Sequence, residues 1–402
     1  MAEVINMKSR SDARIIATQF TALLGQPPYR KDIMRSKSGL KRTAFFDTIG
    51  HAKEFHIHNT YLKPDVFTDP LEEYWTLRND VGLFDVTGEE VVEITGPDAL
   101  ELINDVMPRD VAKMRDGMSF YSVLCHDFGG IVEDGILVRF NADKFWWVGG
   151  PGNSEEFLYA NIRGRDVEIT SHNDSLHVAS VQGPKSRDVM NTVCADSLAD
   201  LPVFGVLETD LCGVPVTITR TGYTAELGYD IYVDIERGPQ MYKDLLVAVQ
   251  AAGGSLCGSH CMGIRRVEAG ILNFGFDFDW QHTPADIGLE WMISETKAPY
   301  RAQKALIAVK HNLPTRRLTG FRLEGSEVPL VGDKVYFDGQ EVGVVTSATA
   351  SPSLEVPLAM GYVETSITKG NDLVEIDCGG TRYSARVVPC TFLDPERKLM
   401  RA

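Results

Sequence analysis

No apolar run in this sequence approaches the roughly 18–20 residues that a membrane-spanning helix requires. The opening stretch "MAEVINMKSRSDARIIATQF" lacks an apolar signal core, so a cytoplasmic location and no membrane partner are expected. Nucleotide loops are missing: there is no G-x-x-x-x-G-K-[ST], and no G-x-G-x-x-G between a strand and a helix. "GGPGN" (149–153) is rich in glycine, but Pro151 removes an amide donor and the segment reads as a turn. Neither H-E-x-x-H nor G-x-S-x-G occurs. Cysteine is sparse and odd in number. The seven scattered residues fit reduced thiols better than a disulfide framework. Only "CGSHC" (257–261) clusters, and no second cluster completes a tetrahedral zinc site, so no metal is expected. Basic residues are in deficit, 40 Lys and Arg against 56 Asp and Glu, for a net charge of −16. Nucleic acid as the main partner is thereby excluded, because phosphate binding needs a positive surface. A local basic pocket for a small anionic cofactor is not.

What is present is enough apolar material for full cores. Hydrophobic residues make up 44% of 402, a length that suits two or three domains. A short helix is expected at about 11–24. "DPLEEYWTLRNDVG" has a helical period stopped by Gly82, "EVVEITG" is a strand, and "PDALELINDV" starts a helix with Pro97 near its first turn. "SFYSVLCHDFGGIVEDGILVRF" reads as two strands joined by a turn, followed by the strand "KFWWVGG". "RGPQMYKDLLVAVQAAGG" is a helix ended by glycines. After a linker at about 308–316, short strands and Gly, Asp and Asn turns suggest a small antiparallel barrel.

Chemistry is carried by spaced fragments: "ELINDVMP", "YSVLCHDFGGIVEDG", "SVQGPKSR", "RTGYTAELGYDIYV", "GIRRVEAGILNFG" and "VGVVTSATASPSL". In this order, from about Leu40 to the C-terminus, they resemble the aminomethyltransferase family, the glycine-cleavage T-protein and its tetrahydrofolate-dependent relatives. The resemblance implies an α+β fold, a three-domain cloverleaf with folate in a central channel. An N-terminal extension (1–40) would precede a body of two intertwined α/β lobes (41–310) and a C-terminal antiparallel β-barrel (316–402). It also implies roles. Glu226, in a Gly-Tyr-Thr turn at a strand entrance, would accept two parallel hydrogen bonds from the pterin edge. Arg266 would contact folate from its helix, and Tyr121 and Tyr223 would line the cofactor. Asp105, just past a helix, would stabilise charge at the reacting nitrogen.

Departures from the T-protein pattern fall on the donor side. His126 stands where the family has asparagine, and a histidine there can still bond a pterin edge. "HAKEFHIHNTYLKPDVF" replaces the stretch that lines the donor entrance, presenting His56 and Tyr61. "GFDFDWQHTP" brings acids and aromatics, Trp280 among them. That segment is either a loop with ordinary packing or a pocket for a small donor with a cationic group. The resulting expectation is tetrahydrofolate-dependent transfer from a small methylated donor. Glycine-cleavage aminomethyl transfer from a lipoyl carrier protein is the alternative. A non-enzymatic folate-binding role is disfavoured, since "K-G-C-Y-x-G-Q-E" is absent.

Overall fold

The computed structural model describes residues 40–402 apart from 151 and 369–371. The expected helix at 11–24 and almost all of the 1–40 extension lie outside the described residues.

Two antiparallel sheets build the body. The first has five strands in the order Met118–Cys125, Ile131–Asn141, Lys144–Gly149, Glu90–Thr95, Glu168–Ser171. The second has six: Val206–Leu211, Val214–Thr219, Gly228–Asp234, Leu176–Gln182, Gly82–Asp85 and Ser255–Leu256, the last pairing in parallel. Alternation fixes their faces, and each sheet buries Val, Ile and aromatic side chains. Tyr74, Phe84, Val91, Trp146, Val178, Tyr232 and Ile264 form one shared core. That core contains residues from both sheets, so the lobes interlock.

Two helices seat the site. Pro70–Asn79 begins where the Asp69 carboxylate accepts from the amides of Leu71 (2.9 Å) and Glu72 (3.2 Å), with Pro70 at the first position. It buries Tyr74 and Leu77 and ends before Gly82, as its period requires. Ser259–Ala269 ends at Gly270, whose φ of 67° is left-handed. A Cβ there would lie 2.5 Å from the Cys390 carbonyl oxygen, so only glycine lets the C-terminal segment pass.

The C-terminal region is a closed six-stranded barrel, starting at Arg316–Leu323 and ending at Thr381–Val388. The expected linker is shorter than its sequence suggests. Helix Gln303–His311 runs through its first part, because Leu306 is drawn into the core with Ile131, Phe278 and Met360. A further hairpin pairs Glu54–His58 with Tyr61–Val66. No helix among the described residues is long and apolar enough to cross a membrane.

Candidate functional site

Where the two sheets meet, the buried Asp230 and the half-buried Asp134 and Glu89 gather. Asp230 sits in Gly228–Asp234, a strand buried along nearly its whole length. Its Oδ1 accepts from Ser180 Oγ and its Oδ2 from Thr221 Oγ1, each at 2.6 Å. Asp134 accepts from the Tyr121 hydroxyl at 2.9 Å. Glu89 lies within electrostatic reach of both acids. Among the described residues none of the three has a cationic partner within 4.0 Å. Their carboxyls respond as burial dictates. Desolvation, then the neighbouring Asp230, pushes Glu89 up to about 8. Desolvation raises Asp134 to about 6 against the pull of the Tyr121 hydrogen bond. Asp230 is raised by burial despite its two hydroxyl donors. Tyr121 and Tyr223 stand beside these acids, and the Tyr223 hydroxyl donates to the Leu272 carbonyl at 2.7 Å.

Glu226 does not join this cluster. Its carboxylate is 5% exposed and its Oε1 is clasped by Arg78 Nη1 and by Arg265 Nε, the latter at 2.7 Å. Arg265 also reaches Glu268 at 3.5 Å, and Glu268 accepts from Tyr74 at 2.9 Å and from Ser351 of the barrel. The turn that looks built to present an acid therefore closes the seam between helices and barrel. Arg266 is committed too. Its Nη1 meets Asp277 Oδ2 at 2.6 Å and its Nη2 meets Ser347 Oγ at 2.8 Å. Glu226 and Arg266, expected as folate contacts, are thus both engaged in internal ion pairs. Adjacent helical arginines point about 100° apart, and each found its own buried acid.

Asp105 also needs correction. It lies within helix Ala99–Val106, not past it, and its Oδ2 accepts from Arg165 Nη2 at 3.2 Å. Arg165 further binds Glu101 and the Asn161 carbonyl, so Asp105 belongs to a group with no partner in the acid cluster. The same turn carries a second acid, Asp110. Arg109 beside it donates to the Tyr121 carbonyl at 2.7 Å and stacks on Phe120, which sets that end of the turn against the Tyr121 strand. The turn is tied from below by Lys297. Its Nζ donates to the carbonyls of Asn104 (2.5 Å), Met107 (2.5 Å) and Arg109 (3.0 Å). Burial pushes this amine down to about 7, opposed first by Asp110 and then by Asp105.

The donor-side residues divide into separate places. His126 accepts the Phe128 amide on its Nδ1, and its Nε2 lies 3.2 Å from the Trp280 carbonyl. The two meet at a surface edge where the Trp280 ring is 63% exposed. A cleft of about 220 Å³ nearby is lined by Phe276, Asp279, His282, Thr346 and Tyr362, without Trp280. His56 is half-buried near Asp65 and is pushed down to about 4 by desolvation. The Tyr61 hydroxyl donates to the Asn173 carbonyl at 2.9 Å, and its ring packs edge-on to His177. It serves as a hairpin anchor.

Sequence reasoning missed Asp230, Glu89, Asp134 and Asp110. One signal was available for Asp230: it is a charge inside an apolar strand, "GYDIYV". A charged group survives there only with partners or a function.

Comparison with known proteins bears on this geometry. The family model described as GCVT N-terminal domain matches residues 33–297, and the glycine cleavage T-protein C-terminal barrel domain matches residues 316–394. An aminomethyltransferase of Halothermothrix orenii is 30% identical over 343 residues, 85% of this chain and 95% of that protein. One from Streptomyces coelicolor is 31% identical over 329 residues, 80% of this chain and 88% of the other. The crystal structure of glycine cleavage system aminomethyltransferase T from Bartonella henselae superposes with a TM-score of 0.82 at 25% identity. That match covers 88% of this chain and 98% of the other.

Proposed function

Since this chain belongs to the glycine-cleavage T-protein family, a family of tetrahydrofolate-dependent one-carbon transferases, we propose that it works as an aminomethyltransferase, with Asp230 as its pterin acceptor. The relatives named above support aminomethyl transfer. The observation that carries the site is the Asp230 carboxylate. Each of its oxygens already accepts one hydroxyl and keeps a further lone pair. A pterin edge offers an exocyclic amine and a ring N–H side by side, which matches two such acceptors. Among the described residues the surrounding acids have no cation within 4.0 Å, so a ligand rich in N–H donors suits them. Bound tetrahydrofolate would supply the nitrogen that receives the carbon. Asp230 would orient the ring, the Tyr121–Asp134 pair would hold a proton at a fixed hydroxyl, and Asp110 would supply counter-charge.

Calorimetric titration with tetrahydrofolate tests this. Asp230→Asn keeps the shape and removes the charge, and it should weaken binding by about 1.5–3 kcal/mol. Unchanged affinity would remove Asp230 from the site. A second reading, a free methylated donor in place of the lipoyl carrier protein, is favoured by the hairpin that stands where the relatives' donor stretch would be. Product folate formed without any carrier protein would support it, and activity only with an aminomethyl-loaded carrier would exclude it.

A further inference from the structure

One segment far along the chain braces the turn that carries Asp110. The helix Ala99–Val106 ends in carbonyls that find no partner within the helix itself. Lys297, 190 residues beyond Met107, answers them. It is 7% exposed, and its Nζ donates to the carbonyls of Asn104, Met107 and Arg109. Its neighbours take two more. The Ser294 amide donates to the Pro108 carbonyl at 3.0 Å, and the Arg301 amide donates to the Asp105 carbonyl at 2.9 Å. The lysine is itself held. Its amide donates to Ser294 Oγ at 3.2 Å, and its Nζ lies 4.2 Å from the centre of the Tyr300 ring. The Tyr300 hydroxyl donates back to the Ser294 carbonyl at 3.0 Å. Among the described residues no carboxylate lies within 4.0 Å of Lys297 Nζ, so its N–H donors go to the turn. A cation that is costly to bury thus sits at the negative end of a helix, where it fixes backbone.

We propose that Lys297 is a positioning residue for the one-carbon transfer: through the carbonyls of Asn104, Met107 and Arg109 it fixes the place of the Asp110 carboxylate. Arg109 precedes Asp110 directly, so a carbonyl held at 3.0 Å also sets the plane of the peptide that leads into Asp110. An acid that acts by preorganised charge loses its effect when it is displaced by even about 1 Å. Lys297 touches no reacting atom in this reading. It acts on kcat and not on folate binding, since the pterin acceptor Asp230 is carried by the strand Gly228–Asp234. The inference rests on the reading of Asp110 as counter-charge given above.

The test uses the full chain with tetrahydrofolate and the aminomethyl-loaded carrier protein. Lys297→Met should lower kcat roughly 10–100-fold and leave both KM values near wild type. In the Asp110→Asn background the same change should cost little more, because it acts through that carboxylate. Lys297→Arg, which keeps the charge, should recover part of the rate. Amide exchange over residues 104–113, followed by mass spectrometry, should quicken in Lys297→Met while the rest of the body keeps wild-type protection. Full kcat in Lys297→Met, or an undiminished loss in the Asp110→Asn background, overturns the proposal and keeps the transfer reading. Asn104→Ala gives a second route, since Asn104 Oδ1 accepts the Val111 amide of the same turn at 2.9 Å. If that variant exchanges faster there and keeps full kcat, the hold on the turn does not set the rate. The proposal then falls, whether or not Lys297→Met folds. No folate product from wild type, with faster exchange in Lys297→Met, overturns the transfer reading and leaves the brace standing.

Discussion

Replacing Asp110 with asparagine is expected to lower kcat by about 10²–10⁴ while tetrahydrofolate affinity stays close to wild type. The turn Met107–Asp110 is immobilised by the three carbonyl contacts of Lys297 and by Asn104, whose Oδ1 accepts the Val111 amide at 2.9 Å. A carboxylate on so rigid a turn can stabilise charge that develops only in the transition state, without reorganising. Asp105→Asn is the matched control. Its carboxylate is held by Arg165, which also ties Glu101 and Asn161, whereas Asp110 pairs only with the exposed Lys113 at 2.9 Å among the described residues, so the loss of Asp105 should leave kcat nearly unchanged. Steady-state rates for the two variants decide the matter. A full-rate Asp110→Asn with a crippled Asp105→Asn would return the role to Asp105.

Glu226→Ala should cost about 3–5 kcal/mol of stability, the largest such loss expected of a single change here. Arg265 is fully buried, and its Nη2 already lacks a partner. Removing Glu226 takes away the acceptor of its Nε and Arg78's ion-pair partner among the described residues, leaving buried positive charge against Glu268. Because the network also ties Tyr74 and Ser351, the barrel and the body should loosen together. Urea unfolding would show a lower midpoint. Tetrahydrofolate affinity of the folded protein should persist. A loss below about 1 kcal/mol would mean that the cluster behaves like an exposed ion pair. Intact stability with lost folate binding would restore Glu226 as the ligand.

These two residues show where local sequence is informative. Helices Pro70–Asn79 and Gly238–Ala251, the paired strands around "HDFGG" and the barrel after residue 316 were all legible, because capping, period and turn chemistry act within a few residues. The motif "RTGYTAELGYDIYV" was legible as a turn leading into a strand. Its two acids were not distinguishable. Glu226 and Asp230 lie four residues apart, and nothing local says which keeps a free carboxylate. The arginines that take up Glu226 come from 148 and 39 residues away in the chain. Arg266 was read as a ligand for the same reason, since Asp277 and Ser347 reach it only once the barrel has docked.

Composition, periodicity and the order of its motifs therefore determined this protein's elements, its fold class and its family. Which acids became partners of buried arginines, and which were left with no cation within 4.0 Å among the described residues, was decided by tertiary packing. Desolvation and ion pairing depend on the groups that long-range folding brings within a few ångströms, and no local pattern encodes those distances.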